Sequence, residues 1–497
     1  MAGIRKQAII SSLLIYVGTG IGAINTYFYV SLFTTDQYGL TKLFYDVGLN
    51  FYIFASLGAI PVLYKFYPYY KDNLEDKKND LLGRSLIISG IGFILVCIAA
   101  YFMEPLIVQK FSGKSKIFIN YYFWVLPFAF GLLLFSLLEG YAWVLRKSVV
   151  SNFLRETGLR LFTLVFILLY WGGIISFHTF MILFSMLFLI IALILLAYFM
   201  RRGQVHFTFK KSRVTKKFKR KMFGMQVLIF GGIIITTLGQ TIDTFVIASL
   251  KGIGDAGVYT LSLYMSNLIQ IPQRSIQSIA TGVIARNWKD KNYADILRIY
   301  QRSSINMLLI SVFIFGNMWL NIADGLTVLN LFDKYKEGIP LILIFGFIRV
   351  IDAGTGVNAQ IIGTSNFWRF EFFSGVIMLA LRIPLSYMLV KSYGIIGSAY
   401  SDLISLTVYN FIRYEFLRRK FNMQPFSSKT FYSIILGFAA YFAAYFLLQG
   451  QSGWLAIILR STIFSGIIAG GVFFFKLTPD AMQIFDNLKK RFNIGKR

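Results

Sequence analysis

Apolar runs of roughly 20 residues, separated by short polar segments, recur from one end of the chain to the other. A helix of that length crosses the ~30 Å hydrocarbon core of a bilayer. We interpret the pattern as an all-α polytopic membrane protein with about 14 transmembrane helices. The predicted spans are 8–33, 43–66, 84–104, 118–143, 150–171, 177–200, 223–250, 258–283, 304–323, 339–363, 371–392, 395–415, 430–449 and 455–476.

The composition agrees with a membrane protein and disfavours an enzyme. Of the 497 residues, 56% are hydrophobic and only 14% are charged, too few to cover a soluble protein of this length. The single cysteine, Cys97, excludes a disulfide framework, and two histidines offer little for a metal or a catalytic centre. We therefore predict no cofactor, no metal and no catalytic residue.

The basic residues predict the orientation. When the connecting loops are assigned alternately to two sides, one side holds 38 of the 50 lysines and arginines, including those at both termini. The other side holds eight, Lys42 among them. Positive residues mark the cytoplasmic side, so both termini are predicted to be cytoplasmic. The net charge of +28 is then mainly a topology signal, and the sequence disfavours nucleic acid as a partner.

Similar segments recur at a nearly constant offset and predict an internal repeat. DQYGLTKLF from Asp36 resembles DAGVYTLSL from Asp255, GLRLF at 158–162 resembles ALRIP at 380–384, and WGGIIS at 171 resembles YGIIGS at 393. Repeats with an even number of spans have the same orientation, an arrangement known in transporters. The predicted domains are a bundle at 1–200, a basic cytoplasmic linker at 201–222, a bundle at 223–420, and helices 13–14 with a cytoplasmic tail at 421–497.

Several segments resemble bacterial polysaccharide flippases. They are TTDQYGLTKLFYDVGL (34–49), TIDTFVIASLKGIGDAGVYTLSLYMSN (241–267), QIIGTSNFWR (360–369) and YGIIGSAYSDLIS (393–405). The resemblance implies the multidrug/oligosaccharidyl-lipid/polysaccharide exporter superfamily, with two six-helix bundles forming a V around a central cavity. Fourteen spans fit its lipid-linked-sugar branches, including the lipid II flippases. Arg382 is a departure, because the family more often has asparagine there.

The span at 258–283 carries a polar stripe through apolar sequence. On a continuous helix, Asn267, Gln270, Arg274, Gln277 and Thr281 lie within about 80° of one another. An arginine in the middle of a bilayer costs ~2.5–3.5 kcal/mol even on lenient insertion scales, so it should face water or a partner. A guanidinium binds phosphate oxygens bidentately. We predict that Arg274, Gln270, Asn267 and Gln277 bind substrate.

Other spans contribute candidates with the same polar chemistry. Arg349, Asn25 and Asn50 are further predicted substrate ligands, and Asp243, Asp46 and Asp352 are predicted ion-coupling or counter-ion residues. Two alternatives stay open. Arg349 and Asp352 are spaced as a structural pair within one helix, and Asp243 is either a counter-ion of Arg274 or a site for H⁺ or Na⁺.

The leading hypothesis is a flippase that moves a polyprenyl-diphosphate-linked oligosaccharide to the outer leaflet for surface polysaccharide, such as lipopolysaccharide. The last two predicted spans, 430–449 and 455–476, would flank a groove for the lipid tail, as the resemblance implies. A lipid II flippase and a multidrug exporter are the alternatives on this fold. A membrane glycosyltransferase is disfavoured by the short external loops. The predicted setting is the bacterial cytoplasmic (inner) membrane, as a monomer among membrane lipids, with a polysaccharide polymerase as a further candidate partner.

Overall fold

The structure, a computed structural model, describes residues 2–145, 147–208 and 210–480, and every regular element in these ranges is helical. The α-helices are α1 (Ala2–Leu32), α2 (Thr35–Ser56), α3 (Ala59–Asn73), α4 (Leu81–Phe111), α5 (Lys116–Ile119), α6 (Val125–Val144), α7 (Ser148–Asn152), α8 (Leu159–Trp171), α9 (Phe177–Arg201), α10 (Arg213–Leu250), α11 (Ile253–Asn267), α12 (Ile271–Lys289), α13 (Tyr293–Val328), α14 (Phe332–Tyr335), α15 (Ile339–Gly354), α16 (Asn358–Thr364), α17 (Trp368–Tyr393), α18 (Ile396–Phe421), α19 (Ser428–Leu447) and α20 (Trp454–Phe474). The predicted all-α fold is confirmed.

Each of the fourteen predicted spans overlaps a helix or a helix broken into consecutive pieces. Among the described residues, eight helices are long and apolar enough to cross a membrane, and two bent pairs raise that number to ten. The other helices do not meet the length and hydropathy that this count requires. The count of fourteen and the parallel pseudo-repeat therefore stay predictions.

The chain forms two compact units, Met1–Gly257 and Val258–Arg497. Helix α10 belongs to the first unit because it packs against α2 and α3. The predicted domain boundaries follow the sequence repeat instead, and they stay a prediction. The predicted cytoplasmic tail beyond Asp480 lies outside the described residues.

Two helices are bent sharply where the backbone enters the left-handed region. Leu57 and Gly58 have φ of 45° and 71° and separate α2 from α3, which meet at 45°. Gly356, with φ of 67°, separates α15 from α16 at a bend of 50°. At the second bend, Ser304 Oγ donates a hydrogen bond to the carbonyl of Gly354 at 2.5 Å. Breaks of this kind release backbone groups for other partners within a membrane protein.

Two further irregularities interrupt predicted spans. A 3₁₀ turn at Leu268–Gln270 separates α11 from α12, and Pro272 occupies the first turn of α12, a position that tolerates proline. A π-helix at Phe153–Gly158 joins α7 to α8. A π-helix is rare and often occurs at a functional site. Both interruptions lie near side chains that are described in the next section.

In the second unit, α19 and α20 pack against α13 through a shared apolar cluster that includes Leu309, Ala440 and Phe464. Close contact requires a small residue on α13, because a Cβ at Gly316 would lie 2.2 Å from the Phe464 ring. The last two predicted spans thus form part of the second unit, and α19 forms one wall of a groove described below.

Candidate functional site

Arg274 is an exposed residue on α12 of the second unit. It forms no hydrogen bond or ion pair with any residue that the structure describes. Its neighbour Gln273 is only 4% exposed and points into the unit. Because consecutive residues of a helix are about 100° apart, the inward position of Gln273 leaves Arg274 on the open face of α12.

The rest of the predicted stripe does not form one continuous exposed face. The 3₁₀ turn separates Asn267 from Arg274, and Asn267 Oδ1 accepts a hydrogen bond from Arg349 Nη2 at 3.1 Å. Gln270 and Gln277 are half-buried. A continuous-helix projection missed this because the turn changes the angular register.

Asp352 is the centre of a hydrogen-bonded cluster in the second unit. Gln273 Nε2 donates to its Oδ2 at 2.8 Å, and Asn410 Nδ2 donates to its Oδ1 at 3.1 Å. Arg349 instead donates to Asn267. The intrahelical Arg349–Asp352 pair considered as an alternative is therefore not what the structure shows. The bond between Asp352 and Gln273 depends on the orientation of α12, which the sequence did not reveal.

Two other arginines inside the predicted spans of this unit, Arg382 and Arg460, have acidic partners. Arg382 Nη2 lies 2.8 Å from Asp402 Oδ1, with both side chains largely buried. Arg460 pairs with Asp324, linking α20 to α13. Arg274 differs from these residues in being exposed without an acidic partner among the described residues, and this leaves its guanidinium available to an anion.

The two asparagines predicted to bind substrate from the first unit are buried between helices. Asn25 is 5% exposed, and its Nδ2 donates to the carbonyl of Arg160 at 2.8 Å. Asn50 is 7% exposed, and its Nδ2 donates to Thr241 Oγ1 at 2.9 Å and to the carbonyl of Asp46 at 2.8 Å. In this arrangement both side chains link neighbouring structural elements.

Lys42 was expected in an external loop, but it lies two turns inside α2 and pairs with Asp46. The predicted start of this span was too late because a capping box at Thr34 begins the helix at Thr35. Asp46 is 1% exposed, whereas the side chain of Lys42 is 25% exposed. The acid is therefore compensated inside the unit, while the cation keeps contact with its surroundings.

A second ion pair, which sequence analysis did not select, also combines a buried acid with a more exposed cation. Arg155, on the π-helix, pairs with Glu139 of α6, and the side chains are 46% and 3% exposed. Arg155, near the start of the predicted span 150–171, was counted among the basic residues of the cytoplasmic side and was given no other role. The signal in the sequence was Glu139, a lone acid within an apolar run, which requires a cationic partner when buried.

Asp243 is 1% exposed and already has an interaction within the protein. Thr236 and Gln240, which share its face on an ideal helix, are exposed. The buried polar residues of α10 also include Thr241 and Thr244, at 1% each. Exposure changes along α10 because different parts of the helix have different neighbours. No described group of three or more His, Cys, Asp and Glu side chains could hold a metal ion.

An apolar groove of about 290 Å³ lies between α13, α15 and α19 of the second unit. Aromatic and aliphatic residues line its walls, among them Phe315, Trp319, Phe347, Phe438 and Phe442. Phe347, Phe438 and Phe442 are themselves substantially exposed. The groove thus offers an apolar surface that a flexible hydrocarbon chain fits.

Residues 4–285, more than half of the chain, match the sequence family described as "Polysaccharide biosynthesis protein". The chain belongs to this family. The family predicted from the sequence is confirmed. No curated protein matches the chain.

Solved structures share the fold of this family member at low sequence identity. "Lipid II flippase MurJ, inward closed conformation" has a TM-score of 0.72 and 13% identity, and the match covers 94% of this chain and 99% of that one. An inward-facing "multidrug resistance MATE family transporter of the MOP superfamily" has a TM-score of 0.64 and 13% identity, covering 83% and 99%. The chain therefore has the fold of these flippase and transporter structures.

Proposed function

We propose that the protein flips a polyprenyl-diphosphate-linked oligosaccharide from the cytoplasmic to the outer leaflet by alternating access. The observation that carries the proposal is Arg274, an exposed guanidinium within a predicted span that has no partner among the described residues. Placing such a group in a membrane is costly, and a diphosphate compensates it with bidentate hydrogen bonds. The membrane setting proposed is the bacterial inner membrane, with cytoplasmic termini.

The groove of the second unit supports the lipid part of this proposal. An apolar surface lined by Phe315, Phe347 and Phe438 suits a polyprenyl tail, while amide groups such as Gln270 and Gln277 suit a glycan. The headgroup and the tail of one substrate need opposite surroundings, and the second unit provides both. Lys42 and Arg155 are partly exposed cations of the first unit, each paired with a buried acid.

A lipid II flippase is the second candidate, because MurJ shares the fold over 94% of this chain. Both candidates use a polyprenyl diphosphate and differ in the glycan. A multidrug exporter is disfavoured, because an unpaired arginine repels the cationic drugs that an acidic cavity would bind.

The test is transport by the purified protein in sealed vesicles that contain a polyprenyl-diphosphate oligosaccharide. An impermeant glycosidase in the outside medium should digest a larger share of the glycan when the protein is present. Equal digestion with and without protein, for both surface-polysaccharide precursors and lipid II, would reject the flippase assignment. Digestion of lipid II alone would select the second candidate.

A further inference from the structure

A polar pocket of about 420 Å³ lies where three predicted cytoplasmic segments of the second unit come together. The segments are 284–303, 364–370 and 413–430, which the charge pattern assigned to one side of the membrane. The pocket is separate from Arg274 and from the apolar groove between α13, α15 and α19.

One wall of the pocket is aromatic and rigid. Trp288 Nε1 donates to the carbonyl of Ile361 at 2.9 Å, which fixes the indole. Phe421 and Tyr293 pack edge-on against Trp288, with ring centroids 4.9 Å and 5.6 Å away. Preformed aromatic surfaces with a few polar groups are typical of small-molecule sites. The apolar C–H face of a sugar ring fits such a wall.

Two lysines and a polar turn give the rest of the pocket positive charge and hydrogen-bonding groups. Lys289 and Lys291 line the pocket and are exposed. The acid between them, Asp290, lies 3.7 Å from Arg286 instead. Asn366 adds an exposed amide able to bond a sugar hydroxyl. The pocket therefore combines positive charge, hydrogen-bonding groups and an aromatic face.

A second, more open groove borders this pocket. Lys420 lines that groove, and its Nζ lies 5.2 Å from the centre of the Phe367 ring, which lines the pocket. The groove continues over Phe370, Phe411 and Phe416, and Phe411 is 61% exposed. A ligand with a lipid end and a sugar end would find matching surfaces on the two sides of Lys420.

We propose that the pocket is a docking site for the glycosyl diphosphate head group of the lipid-linked substrate, distinct from the site at Arg274. The sugar stacks on the Trp288 wall, Lys289 and Lys291 bind the diphosphate, and the first isoprene units follow the groove past Lys420. The inference rests on the proposed flippase function. It adds a loading step on the predicted cytoplasmic side.

The experiment measures binding of farnesyl-diphosphate-linked N-acetylglucosamine to full-length protein in phosphatidylcholine nanodiscs by calorimetry. The starting protein carries Arg274→Ala, so that the first site does not mask the second. Adding Lys289→Gln and Lys291→Gln should weaken binding about tenfold or more, because hydrogen bonds to charged groups are lost. The matched control, Lys216→Gln with Lys217→Gln, removes two exposed lysines from the first unit and should leave the affinity unchanged.

Asn366→Ala tests recognition of the sugar. This substitution should weaken binding of the probe and leave the affinity for inorganic pyrophosphate unchanged. Pyrophosphate binding as tightly as the probe would overturn glycan recognition. Loss of probe binding in phosphatidylglycerol nanodiscs would assign the pocket to lipid headgroups. If the parent binds the probe but the Arg274→Ala protein does not, the docking site is rejected and the flippase proposal stands. If neither binds it, the proposed function fails as well.

Discussion

Gln273 Nε2 lies 2.8 Å from Asp352 Oδ2, and this hydrogen bond connects α12 to α15 inside the second unit. This hydrogen bond also affects the orientation of the next residue of α12. With Gln273 held inward, Arg274 is placed on the exposed face of the same turn. A structural contact and a candidate ligand thus occupy adjacent positions, and their substitutions should have different consequences.

Removing the Gln273–Asp352 bond should reduce stability. Gln273→Ala leaves Asp352 Oδ2 without its amide donor, at an expected cost of about 1–3 kcal/mol. Denaturant titration in detergent measures the change, and a double-mutant cycle with Asp352→Ala should show coupling of about 0.5–3 kcal/mol. Additive effects of the two substitutions would show that the bond contributes nothing to stability.

Arg274→Ala should reduce surface polysaccharide while the protein remains at normal abundance in the membrane. Arg274→Lys should restore only part of the activity, because it keeps the charge and loses the bidentate fork. Arg220→Ala is the matched control, since Arg220 is an exposed arginine on α10 of the first unit. Full polysaccharide production by Arg274→Ala would remove this residue from the substrate site.

The Arg155–Glu139 pair should respond asymmetrically to substitution. Arg155→Ala leaves a carboxylate that is 3% exposed without its cation, a change that typically costs about 3–5 kcal/mol. Glu139→Gln leaves Arg155, which is 46% exposed and can be solvated, so the loss should be smaller. Thermal melting of the two variants in detergent shows which substitution causes the larger loss of stability. A larger loss for Glu139→Gln would contradict this account.

Asp480, which follows the last described helix, should make stability depend on pH. The hydrogen bond from Arg302, with a further one from Asn306, lowers the pKa of Asp480 below its ordinary value of 3.8. A lowered pKa in the folded state means that the contribution is present above pH 3.8 and is lost as the pH falls through the lowered value. The parent should melt above Asp480→Asn at neutral pH, and this gap should narrow below about pH 4. A gap independent of pH would exclude the ionised carboxylate as its source.

The predicted orientation can be tested with single cysteines in a Cys97→Ser background. Gly203, at the tip of the basic linker, has φ of 61°, so the exposed Lys211 is the better position. Lys211→Cys should resist an impermeant thiol reagent applied outside intact cells, and Lys336→Cys should react. Labelling of Lys211→Cys with protection of Lys336→Cys would reverse the orientation.

The membrane character, the all-helical fold and the family could be predicted from the sequence. Apolar run length must match the bilayer, and that constraint acts locally on consecutive residues. Arg274 could be selected for the same reason, because its cost in the membrane depends on its own charge. Even the interruption near Pro272 has a local cause, since proline lacks an amide hydrogen.

Partners could not be predicted, because they depend on how helices distant in sequence pack. The 3₁₀ turn before α12 and the π-helix before α8 each shift the angular register, so an ideal helix misplaces the side chains that follow. Asn25 and Asn50 were predicted ligands, and the structure places both between packed elements. Lys42 was expected in a loop and lies inside α2, and Arg155 was given no role and pairs with a buried acid. The sequence by itself determined which segments are apolar and long enough to form membrane helices, because that property is local. Only the tertiary structure decided how most of their polar groups are paired, because a buried polar group requires a partner and that partner often comes from a segment distant in sequence.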